Sequence, residues 1–180
     1  MNYFDVIYCN EYAKENGKYG IIDVKENVDE YQLKDCKPFP YDMINNITFI
    51  FEGKKDDILA DFQMPYFPWR LISTKLYGVL EPFDYNNDIL FYPVKIRKDN
   101  ELHEYYIMHF INKIDVIDKT RTVIDDLGIA LKPKVIVEKL VGIHLFNYKE
   151  KNQNSFCVSD FLKEEMEKQG ITGCYYQKIS

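Results

Sequence analysis

This chain of 180 residues has little of what most chemistry is built from. Its eight glycines are scattered, so no Gly-rich loop is present whose backbone amides could cradle a phosphate. Cys9, Cys36, Cys157 and Cys174 show neither a short metal-binding spacing nor a dense disulfide framework. Cys157 and Cys174 fall in apolar, strand-like stretches, so buried thiols in a reducing compartment are expected. No apolar run approaches the roughly 20 residues a membrane-spanning helix needs, and Met1 to Asn10 lacks the basic start and long apolar run of a secretory signal. A cytoplasmic protein is the expectation. Positive charge is also scarce: 23 Lys and Arg against 29 Asp and Glu give a net charge of -6. A nucleic-acid ligand needs a basic face that displaces counterions from phosphates, so this balance points to a basic protein partner instead.

What the chain does have is apolar and aromatic mass. Hydrophobic residues make up 46% of it, with fifteen Tyr and twelve Phe, enough to bury a sizeable core and to supply interface anchors. The length suits one domain. Within it, residues 1–68 read as a less regular part and residues 69–180 as a regular one.

The pattern along the chain predicts short strands and two capped helices. Tyr3 to Tyr8 reads as a buried strand, and Ile47 to Phe51 as another, ended by Glu52-Gly53. Polar stretches around Glu11 to Lys18 and Lys25 to Lys37 read as irregular connections. Ser73 is a good helix N-cap, because its hydroxyl can accept an orphan amide hydrogen bond, and Leu76, Val79 and Leu80 follow at helical spacing as far as Pro82. Ile89 to Ile96 and Tyr105 to Ile111, joined by a polar turn, read as an antiparallel hairpin. Pro93 cannot donate a ladder hydrogen bond, so an edge or bulged position is expected there. Lys134 to Leu140 alternates as a strand does. The chain closes with Phe156-Cys157-Val158 running into Ser159, a second N-cap, then a helix to Gly170, a Gly170-Ile171-Thr172-Gly173 exit and an aromatic strand. Together these predict an α+β fold in one domain, a mixed or largely antiparallel sheet with short flanking helices.

Three constellations invite a chemical reading. His103 and His109 share strand parity, but six residues at about 3.3 Å each separate them by roughly 20 Å, so they cannot share a metal on a straight strand; none is assigned. Ser159, His144 and Asp160 supply the groups of a hydrolytic triad, yet Ser159 lacks the Gly-x-Ser-x-Gly setting that exposes a strained nucleophile, and its place before a helix marks it as a cap. Asp125, Asp126 and His144 are the residues of the alternative reading, a small hydrolase with an acidic/His site; an adaptor with an unrelated partner is another. Adjacent acids usually serve a solvated loop, and no catalytic or cofactor-binding residue is assigned. The surface reading rests on acids alternating with aromatics in two segments, Asp61 to Trp69 and Phe83 to Asp88. Aromatic anchors ringed by acids suit a basic protein partner, and Asp61, Tyr66, Trp69, Asp84, Tyr85 and Asp88 are the expected contacts.

The order of these pieces carries a resemblance. The run from Leu71-Ile72-Ser73 through Leu80, then Leu90-Phe91-Tyr92-Pro93-Val94, then Tyr105-Tyr106-Ile107 and on to Ile114-Asp115-Val116-Ile117-Asp118, resembles a family of bacterial immunity proteins from polymorphic toxin systems. Leu145-Phe146, the Val158-Ser159 cap, the helix ending at Gly170 and Thr172-Gly173 before an aromatic strand resemble that family's closing segment. The resemblance covers Trp69 to Ser180, and the first third resembles no family. It implies a cytoplasmic α+β protein without catalysis or cofactor that binds a cognate toxin and blocks it. No catalytic residue comes with it, and contact positions vary with the toxin.

Overall fold

Two Ser-capped helices stand where the sequence places them. The computed structural model describes residues 1–9, 21–24, 36–40, 44, 47–53, 56–65, 69–149 and 155–180. Helix α1 covers Thr74–Leu80, with the Ser73 hydroxyl accepting from the Leu76 amide at 3.1 Å. Helix α2 covers Asp160–Lys168, with the Ser159 hydroxyl accepting from the Leu162 amide at 3.2 Å. Each cap satisfies an amide that the first helical turn leaves without a partner. Leu76 and Leu80 of α1, and Leu162 and Met166 of α2, form the buried faces.

The long hairpin is also as expected. Numbering strands in chain order, they are β1 (Tyr3–Tyr8), β2 (Ile21–Val24), β3 (Thr48–Glu52), β4 (Phe62–Gln63), β5 (Arg70–Ser73), β6 (Ile89–Lys98), β7 (Glu101–Phe110), β8 (Val123–Ile124), β9 (Ala130–Lys132), β10 (Leu145–Phe146), β11 (Phe156–Ser159) and β12 (Cys174–Lys178). β6 and β7 pair antiparallel along their whole length, Ile89 opposite Phe110 and Lys98 opposite Glu101. They form the centre of a six-stranded sheet ordered β2-β3-β6-β7-β5-β4, mixed because β3 runs parallel to β6. A four-stranded antiparallel sheet, β10-β11-β1-β12, brings the first strand between two of the last. β8 and β9 make a separate hairpin. The fold is α+β, with mixed and antiparallel sheets and short helices in one domain.

Pro93 lies in β6, an inner strand of its sheet. Pairing with β3 starts only at Lys95, so the Pro93 flank has no ladder on that side and its missing amide costs no bond. One expected strand is absent. Over Lys134 to Leu140, Val135 makes a single bridge to Ile117, and Val137–Leu140 is a 3₁₀ turn. The Val135 amide donates to the Ile179 carbonyl and the Ile136 amide to the Val116 carbonyl, so anchoring in two directions replaces a ladder.

Among the described residues, three apolar clusters hold these parts together. One face of the six-stranded sheet gathers Phe49, Trp69, Leu71, Tyr92, Val94, Ile96 and Ile107. Its other face, both helices and the inner face of the four-stranded sheet share Phe62, Ile72, Leu76, Leu80, Met108, Phe156, Val158, Leu162 and Met166. The outer face of the four-stranded sheet, with Tyr3, Phe146 and Cys157, is covered by Val116, Ile117, Val135 and Leu140. The segment between the central hairpin and β10 thereby becomes a wall of the core. No disulfide joins the four cysteines; Cys157 is buried as expected, whereas Cys9 and Cys174 are only partly buried and Cys36 is exposed. Among the described residues no helix is long and apolar enough to cross a membrane. The polar stretches at 11–18 and 25–35 lie outside the described residues.

Candidate partner-binding surface

The turn between α1 and β6 is built to hold its shape. Pro82 opens a 3₁₀ turn over Glu81–Phe83, and the Asp84 carboxylate then accepts from the Asp88 amide at 2.8 Å and the Ile89 amide at 3.2 Å. Asn87 adopts a positive φ of 53°, a conformation Asn tolerates better than most side chains. Asp88 accepts from the Asn112 side chain at 3.1 Å, and its carbonyl accepts from the Ile111 amide at 2.9 Å, tying the turn to the end of β7. Burial is the main influence on Asp84 and raises its carboxyl above the ordinary range, against the two backbone donors; the charges of Asp88 and Glu81 add to the rise.

This frame presents aromatic rings to solvent. Tyr85 is 62% exposed. Phe83 beside it meets three rings: Tyr85 at 6.2 Å between centroids, His144 at 5.6 Å and Phe161 at 6.0 Å. Phe161, in the first turn of α2, is 54% exposed and lies 5.3 Å from His144. Phe161 and His144 are not legible in the sequence as partners of Phe83. The only trace of Phe161 in the sequence is its place out of step with Leu162 and Met166 on the helix, which turns it away from the core.

His144 is held by the cap of α2. Its Nδ1 is 2.8 Å from the Ser159 hydroxyl, and its carbonyl accepts from the Ser159 amide at 3.0 Å. Two of the three triad groups named from the sequence thus meet, but their setting is that of a cap. Ser159 is 0% exposed and already accepts from Leu162. The Asp160 carboxylate accepts from the Asn2 and Phe161 amides, which hold its carboxyl below the usual range. Asp125 spends one oxygen on the Leu127 and Ile129 amides at the tip of the β8–β9 hairpin, and Asp126 beside it is exposed. Among the described residues no group of three or more His, Cys, Asp or Glu could hold a metal ion.

Of the six expected contact residues, Asp84, Tyr85 and Asp88 come together in this one turn. Trp69 is 1% exposed and packs against Phe49 at 6.1 Å, so it belongs to the core; its apolar area is worth more against Leu71 and Ile107 than in water. Tyr66 lies outside the described residues. Asp61 forms a clasp elsewhere. Its carboxylate accepts from the Ser73 hydroxyl at 2.7 Å, and from the Thr172 amide at 3.0 Å and hydroxyl at 2.9 Å, joining the cap of α1 to the approach to β12. Asp61→Ala would leave these donors without their acceptor, and a loss of about 2–4 kcal/mol is expected, since charge-assisted bonds contribute roughly 1.5–3 kcal/mol. Urea unfolding measures it; a loss below about 1 kcal/mol would show the clasp to be incidental.

Two other surfaces compete with the turn. A concavity of about 720 Å³ lies on the central hairpin, where Lys95 and Glu104 stand opposite each other in register, so its charges offset. The β8–β9 hairpin exposes Val123, Leu127 and Leu131 but mixes Arg121 and Lys132 with Asp125 and Asp126. Neither has the acidic run of the Tyr85 turn, where Glu81, Asp84 and Asp88 stand beside Phe83 and Tyr85.

The family model described as "Immunity protein family (Imm11)" matches residues 9–180, so the likeness reaches through the first third of the chain as well. No curated protein matches.

Proposed function

The chain belongs to the Imm11 immunity protein family, and from that premise we propose that it binds a cognate toxin of a bacterial polymorphic toxin system and neutralises it by contact in the cytoplasm, without a reaction of its own. The family match over residues 9–180 carries this reading. The turn from Phe83 to Asp88 supports it with the features of a protein interface: exposed aromatic anchors on a braced backbone, beside acids that would speed encounter with a basic partner. A braced turn loses little freedom on binding, so more of the contact energy appears as affinity.

The test is coexpression with the toxin encoded beside this chain. Cells making both proteins are expected to grow where cells making the toxin alone do not, and the two proteins should co-purify as a complex. Failure of both protection and complex formation would overturn the reading. Binding without protection would instead indicate an adaptor.

A further inference from the structure

We propose that the ring cluster of Phe83, Tyr85, His144 and Phe161, together with the acids beside it, takes an arginine side chain from the partner's surface. The partner's identity as a toxin rests on the reading above; the chemistry of the site rests on its own geometry. Tyr85 and Phe161 each touch Phe83, at 6.2 and 6.0 Å, and the rings are inclined to one another by 56 to 68°. Tyr85 and Phe161 are each more than half exposed, so much of their ring surface is open to solvent. A ring face carries negative electrostatic potential and attracts a cation.

The charge of the turn itself has the same sign. Glu81 is exposed at the start of the turn, and Asp84 and Asp88 lie within it; Asp160, which precedes Phe161, has the N-terminal ammonium as a nearby counter-charge. The lysines of the adjoining helices are engaged elsewhere: Lys163 lies over the Phe4 and Tyr176 rings and pairs with Glu167 at 2.7 Å, and Lys75 donates to the Gly170 carbonyl at 2.9 Å. Neither of these lysines therefore fills the place. Burial already disfavours the ionised form of Asp84, and an incoming cation would offset that cost. Arginine suits the site better than lysine, because its planar guanidinium stacks on a ring while donating paired hydrogen bonds to a carboxylate.

Two measurements test this separately from the function. In the first, the isotope-labelled protein is titrated with acetylated Gly-Arg-Gly amide and with the Lys and Glu counterparts, while the Tyr85 and Phe161 ring resonances are followed by NMR. The arginine peptide is expected to shift both rings more than the lysine peptide, with no shift from the glutamate one. Equal responses to all three, or none to arginine, would overturn the proposal. In the second, the Tyr85→Ala, Phe161→Ala double variant is coexpressed with the toxin. Both residues are largely exposed, so its melting temperature should stay within a few degrees of the wild type, while its affinity for the toxin falls at least about 30-fold, the scale of one hot-spot loss. Tyr85→Phe and Phe161→Tyr should restore most of that affinity. If the wild type protects and the double variant binds equally well, the site is wrong and the function stands. If the wild type does not protect but the arginine titration succeeds, the function is wrong and the site stands.

Discussion

Gly173→Ala is expected to destabilise the protein by about 2–6 kcal/mol, the sum of roughly 1–3 for a non-glycine residue at positive φ and roughly 1–3 for overpacking. Gly173 sits at φ 83°, and an added Cβ would overlap the Phe62 carbonyl oxygen and stand 3.0 Å from the Ala60 Cβ. The position is a seam. The Phe62 amide donates to the Thr172 carbonyl and the Cys9 amide to the Gly173 carbonyl, so β4 of one sheet and the end of β1 in the other meet on this turn. Because the obstructing atom is backbone, no side-chain rotation relieves it. Gly170→Ala is the control: its φ of 64° is also positive, but the nearest atom to the new Cβ is the mobile Lys75 Nζ at 3.9 Å, and a loss of only about 1 kcal/mol is expected. Urea denaturation of the two variants gives the comparison, and equal losses would show that the seam tolerates a methyl group.

Trp69→Ala is expected to remove about 3–5 kcal/mol, the range for deleting a buried Trp or Phe side chain. For a chain of this size that lowers Tm by roughly 6–20 °C. Trp69 fills the cluster between Phe49, Leu71 and Ile107, with its ring edge-on to Phe49 at 73°. Against a total stability of about 5–15 kcal/mol, such a loss places the protein near its folding threshold. The outcome separates the two roles Trp69 could have. A residue of the interface would lose partner affinity and keep its Tm; a residue of the core loses Tm, and toxin affinity measured on the remaining folded fraction stays as it was. An unchanged Tm would overturn the assignment to the core.

The candidate site was partly legible for the same reason that the turn is local. Asp84 accepts bonds from residues four and five positions on, and alternating acids and aromatics beside Pro82 mark such a turn within a few residues of chain. Its other half was not legible. Phe161 reaches Phe83 because α2 packs beside α1, and His144 reaches Phe161 because its carbonyl and ring are bound to the Ser159 cap. Nothing within the reach of a local pattern links these positions. The same limit applies to Asp61 and Trp69. Both stand in an acid-and-aromatic run that resembles the one at Asp84, yet one is claimed by Thr172, 111 residues away, and the other by the core.

By itself the sequence determined the α+β class, both capped helices, the central hairpin and the kinship with immunity proteins. Caps, periodicity and turns act between residues a few positions apart, and the order of such elements is what kinship preserves. Only the tertiary structure decided which aromatics face water, which acids brace the fold, and that Phe83, Tyr85, His144 and Phe161 form one surface. The physical reason is that burial is a property of packed neighbours: the same Phe or Asp is anchor, clasp or core according to which distant segment lies against it.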